Sequence, residues 1–272
     1  MNASLAKDRV GRITDNSDLL DHAVRVGLVS YGIVHLLIAW LAVQLAFGDR
    51  SGKASSSGAL HQLAQNSLGQ ILLYVVAAGF AALVVWQALE AAVGHRDEDG
   101  GKRAWKRVVS AVKVIIYGSL GVSALKVATG SGSSGKSTDS WTAKLMSAPA
   151  GAVLVGLVGV GVICVGGALV WRGWKEKFRS KLDVRGKTGQ DGRAYVLFGK
   201  AGYIAKGIAL ALVGALFLYA SLTHDPKKSG GLDQALTKVL DQPFGAPLLV
   251  AMAVGIACYG LFCFAWARHL DR

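Results

Sequence analysis

The chain has 272 residues, 52% of them hydrophobic and 17% charged, with 35 glycines, four prolines and a mean hydropathy of +0.41. The apolar residues come in uninterrupted blocks, not at the periodic positions of a one-sided core, which excludes a water-soluble globular domain and a disordered chain and leaves a polytopic membrane protein. The 30 Lys and Arg outnumber 17 Asp and Glu, for a net charge of +13, but they are confined almost entirely to the gaps between blocks and no recognition module accompanies them, so nucleic acid is not the predicted partner.

Residues 1–21 are polar and of mixed charge and read as a cytoplasmic segment. The first unit, 22–95, carries spans at about 26–48 and 69–93. Its first run, at about 20 apolar residues, is longer than a secretory h-region of about 7–15, so no cleavable signal peptide is predicted. A basic cytoplasmic loop at 96–106 precedes a second unit, 107–174, with spans at about 107–128 and 150–172. A second basic loop at 175–197 precedes a third unit, 198–272, with spans at about 201–223 and 245–267. Nothing alternates with period two as barrel strands do, and a helix is the open-chain way to satisfy every backbone amide in hydrocarbon. The predicted fold is all-α, with six transmembrane helices.

Orientation follows from counting Lys and Arg by gap. The N-terminus, the gaps after spans 2 and 4, and the tail hold twenty, against seven in the alternate gaps (Arg50, Lys53, Lys136, Lys144, Lys227, Lys228 and Lys238). Cytoplasmic loops retain positive charge, so both termini are predicted cytoplasmic, in a bacterial inner membrane. The 172–200 connection alone carries nine basic and three acidic residues, and is expected either to lie solvated on anionic headgroups or to dock a protein. Trp105, Trp171, Trp174, Tyr195 and Trp266 border these ends and read as interfacial anchors.

Sliding the chain on itself by 82 and then by 93 or 94 residues brings three hairpins into register. Arg25, Arg107 and Lys200 coincide, as do Tyr31, Lys113 and Lys206; His35, Tyr117 and Leu210; Gly69, Gly151 and Gly245; and Gly79, Gly161 and Gly255. Ser67, Pro149 and Pro243 each precede the first glycine of a returning helix by two residues. A short amphipathic stretch comes before that turn, with Leu60, Leu63 and Leu68 in the first unit and Leu232, Leu236, Val239 and Leu240 in the third. Two spans per unit give all three units one orientation, a tandem of parallel hairpins and not an inverted repeat, which lowers the expectation of an alternating-access carrier.

The tandem of two-helix units, with Arg25, Gly27 and Gly32 opening the first, Lys200, Gly202, Tyr203 and Gly207 opening the third, and Gln-Pro-Phe-Gly at 242–245, resembles the bacterial domain-of-unknown-function family 1206 over about residues 20–270. The middle unit departs from the pattern, with Val109 and Val114 where the others have glycine. The resemblance implies a six-helix inner-membrane protein of a largely actinobacterial family, and carries over no activity.

Few residues offer chemistry. Lys113 and Lys206 lie about two turns inside their spans and either snorkel to the headgroups or, with Tyr31, form a basic ring for a lipid phosphate or small anion. Glu90 reads as a counter-ion for one of them, with a proton relay as the alternative; His35 and Tyr117 complete the candidate ligand-binding cluster. Gly151, Gly156, Gly159, Gly166, Gly255 and Gly260, with Gly161 and Gly167, let helix backbones approach, inside the protein or against a second copy or another membrane protein. The cysteines at 164, 258 and 263 and the six histidines form no ligand set, so no metal or cofactor is predicted. With no nucleophile and base in evidence, the expectation is a non-enzymatic accessory or scaffold subunit, the alternative a lipid or small-anion binding or transport protein.

Overall fold

The computed structural model describes residues 18–49, 52–65, 67–94, 100–131, 138–148 and 150–270. Lys7, Arg9, Arg12, Arg50, His95, Arg96, Lys136 and Pro149, most of the 130–135 linker and the Leu68 side chain lie outside the described residues. Nine α-helices run through them: α1 (Asp18–Ala46), α2 (Ser56–Leu63), α3 (Ser67–Ala92), α4 (Gly100–Ala128), α5 (Thr138–Met146), α6 (Gly151–Trp174), α7 (Gly189–Thr223), α8 (Leu232–Leu240) and α9 (Gly245–Arg268). Six of them, α1, α3, α4, α6, α7 and α9, are long and apolar enough to cross a membrane. The protein is all-α and multi-pass by this measure, with α2, α5 and α8 as the short helix before each return.

Three boundaries differ from expectation. α1 takes in 18–21, which reads as part of the polar segment in the sequence, α4 takes in 100–106, which reads as loop, and α7 takes in 189–197. Charge marks where hydrocarbon ends, not where a helix ends: at 1.5 Å per residue the 35 residues of α7 span about 52 Å, well past a hydrocarbon core of about 30 Å.

The repeat glycines at 69, 151 and 245 have one steric role. A Cβ there would stand 2.7, 2.8 and 2.6 Å from the carbonyl carbons of Leu63, Leu145 and Leu240, in the last turns of α2, α5 and α8. Each returning helix thus starts against the end of its short helix, too close for a side chain. In the second and third turns the preceding residue takes the left-handed conformation, Ala150 at φ 58° and Phe244 at φ 60°, which costs an L-residue about 1 kcal/mol. The buried faces of the short helices, Ala59 and Leu60 on α2 and Ala235, Leu236 and Val239 on α8, hold them in place.

The chain divides into two compact units, with one boundary inside α1 after Tyr31. The hairpin units of the sequence therefore do not coincide with the compact ones. The first compact unit contains α1 up to Tyr31, α3 and α4. Gly27 faces the Gly79 carbonyl, Gly79 faces Ser30, and Gly121 abuts Phe80. Val24, Leu28, Leu73, Val76, Phe80 and Leu83 fill the space between.

The second unit contains the rest of α1, α2, and α5 to α9. Its main seam is α6 on α7. Gly159 and Gly166, seven residues apart, meet Gly214 and Gly207, and a Cβ at Gly159 or Gly166 would lie 2.9 or 2.6 Å from the facing carbonyl oxygen. Ser221 continues the seam by donating to the Ala152 carbonyl at 2.7 Å. On the other side of α7, Gly202 packs on the Tyr259 backbone and Gly255 on Ala205. Gly32 and Gly260 are reciprocal partners, each 2.9 Å from the other's carbonyl for an added Cβ. The glycines singled out in the sequence, Gly151, Gly156, Gly159, Gly166, Gly255 and Gly260, all make close approaches within the chain. Gly161 and Gly167 do not: nothing lies within 4 Å of a Cβ at either.

Candidate functional site

Of the six residues expected to form one polar cluster, Tyr31, Glu90, Lys113 and Tyr117 belong to the first compact unit and His35 and Lys206 to the second. In the first unit, Tyr31 meets Tyr117 edge to face at 5.5 Å, and both meet Phe80 at 6.3 Å. The register of α3 on α4, set by Phe80 against Gly121 and by an Arg107 guanidinium donating to the Gly94 carbonyl at 3.4 Å, carries Glu90 to the level of Lys113. In the second unit, His35 lies 4.9 Å from the Tyr259 ring and the Lys206 ammonium stands 4.0 Å from the same ring's centre. A cation over an aromatic face is worth about 0.5–2 kcal/mol, rising as it loses water, so the Tyr259 ring gives this half-buried ammonium a favourable neighbour.

Tyr259 belongs to an aromatic column that extends to the basic end of this unit. Tyr203 contacts Tyr259 at 5.3 Å and stacks on Phe178 at 5.3 Å, while Phe262 contacts Phe178 at 5.2 Å and Trp266 at 6.3 Å. Phe178 comes from the charged connection between α6 and α7. After Glu176, left-handed at φ 52°, the chain forms a 3-10 turn, Lys177–Lys181, that inserts Phe178 and Leu182 into the unit, both fully buried. Lys181 follows them in: its ammonium donates to the Tyr203 hydroxyl at 2.8 Å and lies 3.8 Å from the centre of the Trp266 ring.

The connection is then tied to the end of α9. Leu182 pairs with Leu270 in an isolated antiparallel bridge, and the Asp183 amide donates to the His269 carbonyl at 2.9 Å. The Asp183 carboxylate accepts from the Gly186 amide at 2.7 Å and lies 3.1 Å from His269 Nδ1. The Gly186 hydrogen bond first, then the charges of His269 and Arg185, hold the Asp183 carboxyl below its ordinary value against a smaller opposing desolvation. A second 3-10 turn, Arg185–Lys187, leads into α7.

The 172–200 segment is thus not a loose loop: Phe178 and Leu182 fold it onto its own helices, while Arg172, Lys175, Lys177, Arg179 and Arg185 stay exposed. Its spacing of two large apolar residues, Phe178 and Leu182, in a charged run was the available signal. Trp266 is corrected, being 8% exposed and part of the column, whereas Trp105, Trp171 and Trp174 are exposed as anchors would be. Lys175 and Lys200 sit over Trp171 and Trp174 at 5.1 and 5.8 Å. Among the described residues no group of His, Cys, Asp and Glu is disposed to hold a metal.

Fold and site together define a multi-pass helical membrane protein built on tandem hairpins, with its polar intramembrane side chains set among aromatic rings. The chain belongs to the Domain of Unknown Function family DUF1206, whose pattern matches three times, at residues 26–94, 108–176 and 201–269. It is 30% identical over 239 residues to an uncharacterized protein, YxxB, of Bacillus subtilis (strain 168), covering 88% of this chain and 86% of that one. No solved structure matches it.

Proposed function

We propose that this protein is a non-enzymatic accessory or scaffold subunit of a bacterial inner-membrane assembly, with both termini cytoplasmic, and that it packs through α6 against a larger envelope complex or a second copy of itself. The observation that carries the reading is the second face of α6. Gly156, Gly159 and Gly166 are taken up by α7, while Gly161, Cys164, Gly167 and Ala168 remain exposed. Between helices in lipid there is little hydrophobic driving force, and association rests on the close packing that small residues permit. The excess of basic residues at the ends of α3, α4, α6 and α7 supports the orientation and a location against anionic headgroups.

Gly161→Leu tests it. The variant should remain folded and monodisperse, since its side chain meets open space, but should lose its co-purifying partner or its oligomer. An assembly unchanged by Gly161→Leu would sink the proposal. Gly159→Leu cannot serve, because that position is inside the α6 and α7 seam.

One observation favours the carrier reading: His35 and Lys206 share the Tyr259 ring, a contiguous run of titratable groups within the spans. A carrier would lose uptake in Lys206→Met while keeping its fold.

A further inference from the structure

We propose that the cleft between the second 3-10 turn, the start of α7 and the end of α9 is a binding site for a phosphate-bearing anion, gripped by Arg185 and Arg268. The cleft measures about 390 Å³, within the range of about 300–1,000 Å³ usual for small-ligand sites. Arg185, Arg268, Tyr195 and His269 line it, drawn from three separate segments of the chain.

Three features make it suited to phosphate. First, its cations are available: among the described residues neither guanidinium donates a hydrogen bond, and a planar fork of donors matches phosphate oxygens in pairs. Second, the nearest competing carboxylate, although its charge is felt by Arg185, takes its hydrogen bonds elsewhere. Asp183 is turned onto the Gly186 amide and His269 Nδ1, which leaves Asp191 as the acidic residue on the lining against two arginines. Third, the walls are fixed before any ligand arrives. The Leu182 to Leu270 bridge, the Asp183 to His269 contacts and the 5.6 Å packing of Tyr195 on His269 tie the three segments together. Preorganisation of this kind removes an ordering cost from binding. Thr188, at the N-cap of α7, donates its hydroxyl to the Val184 carbonyl at 2.9 Å and makes no cap bond, so its side chain leaves uncapped the first turn of α7, whose Gly189, Gln190 and Asp191 line the cleft.

The phosphate could belong to a phospholipid headgroup or to a soluble phosphate compound, and the experiment separates them. Full-length protein is placed in phosphatidylcholine nanodiscs and in nanodiscs containing phosphatidylglycerol, with and without glycerol 1-phosphate, and its thermal stability and retained lipid are measured. Arg185→Gln with Arg268→Gln is compared with Arg172→Gln with Lys177→Gln, which removes the same charge from exposed positions outside the cleft. The proposal expects stabilisation of the wild type by phosphatidylglycerol, for a lipid ligand, or by glycerol 1-phosphate in phosphatidylcholine, for a soluble one. It expects binding about tenfold or more weaker in the cleft variant alone. Should the cleft variant misfold, Arg268→Lys, which keeps the charge and loses the fork, should still weaken binding. Equal loss in both double variants would reduce the effect to general surface charge and overturn the site, as would no response of the wild type to either probe.

Discussion

α6 and α9 are the returning helices of the second and third hairpins, both 24 residues long and both packed on α7, yet they use opposite means. α6 meets α7 backbone to backbone along glycines seven residues apart, and only 22% of its most apolar stretch is buried. α9 sends large side chains inward, Tyr259, Phe262 and Trp266 among them, and 56% of its stretch is buried. Apolarity therefore does not separate inside from outside in this protein. What separates them is where a small residue on one helix is matched by backbone or by a ring on another, and α6 has matched one face while leaving the other open.

The sharpest way to break that contrast is a pair of neighbours on α6. Gly166→Leu puts its Cβ 2.6 Å from the Gly207 carbonyl oxygen, where the obstacle is backbone and cannot rotate away; it should cost about 3 kcal/mol or more and leave little folded protein. Gly167→Leu, one residue on, meets nothing within 4 Å and should fold and melt like the wild type, losing only what packs on the open face, as Gly161→Leu does. Identical behaviour in size-exclusion and thermal unfolding would remove the seam. On the α9 side, Phe178→Ala deletes a fully buried ring between Tyr203 and Phe262. A loss of about 3 kcal/mol should be accompanied by tryptic cleavage after Arg179 or Lys181 before any helix is cut; an uncut connection would mean the column does not hold it.

Smaller effects sharpen the same picture. Lys181→Met keeps the apolar stem but loses the Tyr203 hydrogen bond and the Trp266 contact, and should cost about 1–2 kcal/mol by thermal unfolding; a neutral result would mean the ammonium is solvated. Acid should act through Asp183. Its folded value is lowered, so the ionised form's contribution is fully present above the ordinary carboxyl value of about 3.9 and is lost as pH falls through the lowered one. Protection of the Gly186 amide, corrected for intrinsic exchange, should thus stay level from neutral pH to about 5 and fall only in stronger acid. Asp183→Asn should flatten that fall, and a midpoint near neutrality would contradict it.

The spans were readable because hydrocarbon imposes length and apolarity on every one of them, and the repeat because Gly69, Gly151 and Gly245 must be glycine for a steric reason the sequence shows only as identity. The faces were not readable. Gly159 and Gly161 look alike along the chain, and only the position of α7 makes one internal and the other open. In the basic connection the charge density hid the anchoring role of Phe178 and Leu182, and Arg193 and Lys200 disguised the first turns of α7. For the candidate site, the repeat register found Tyr31, Lys113 and Lys206, but not Tyr259, whose ring faces Lys206 from a helix more than fifty residues further along.

The central claim is that the open face of α6 receives another protein helix. A photo-crosslinking residue in place of Cys164, activated in native membranes, tests it most directly. The account predicts one defined protein adduct, to a partner or to a second copy, that is lost when Gly161→Leu is added. Adducts to lipid alone would contradict it.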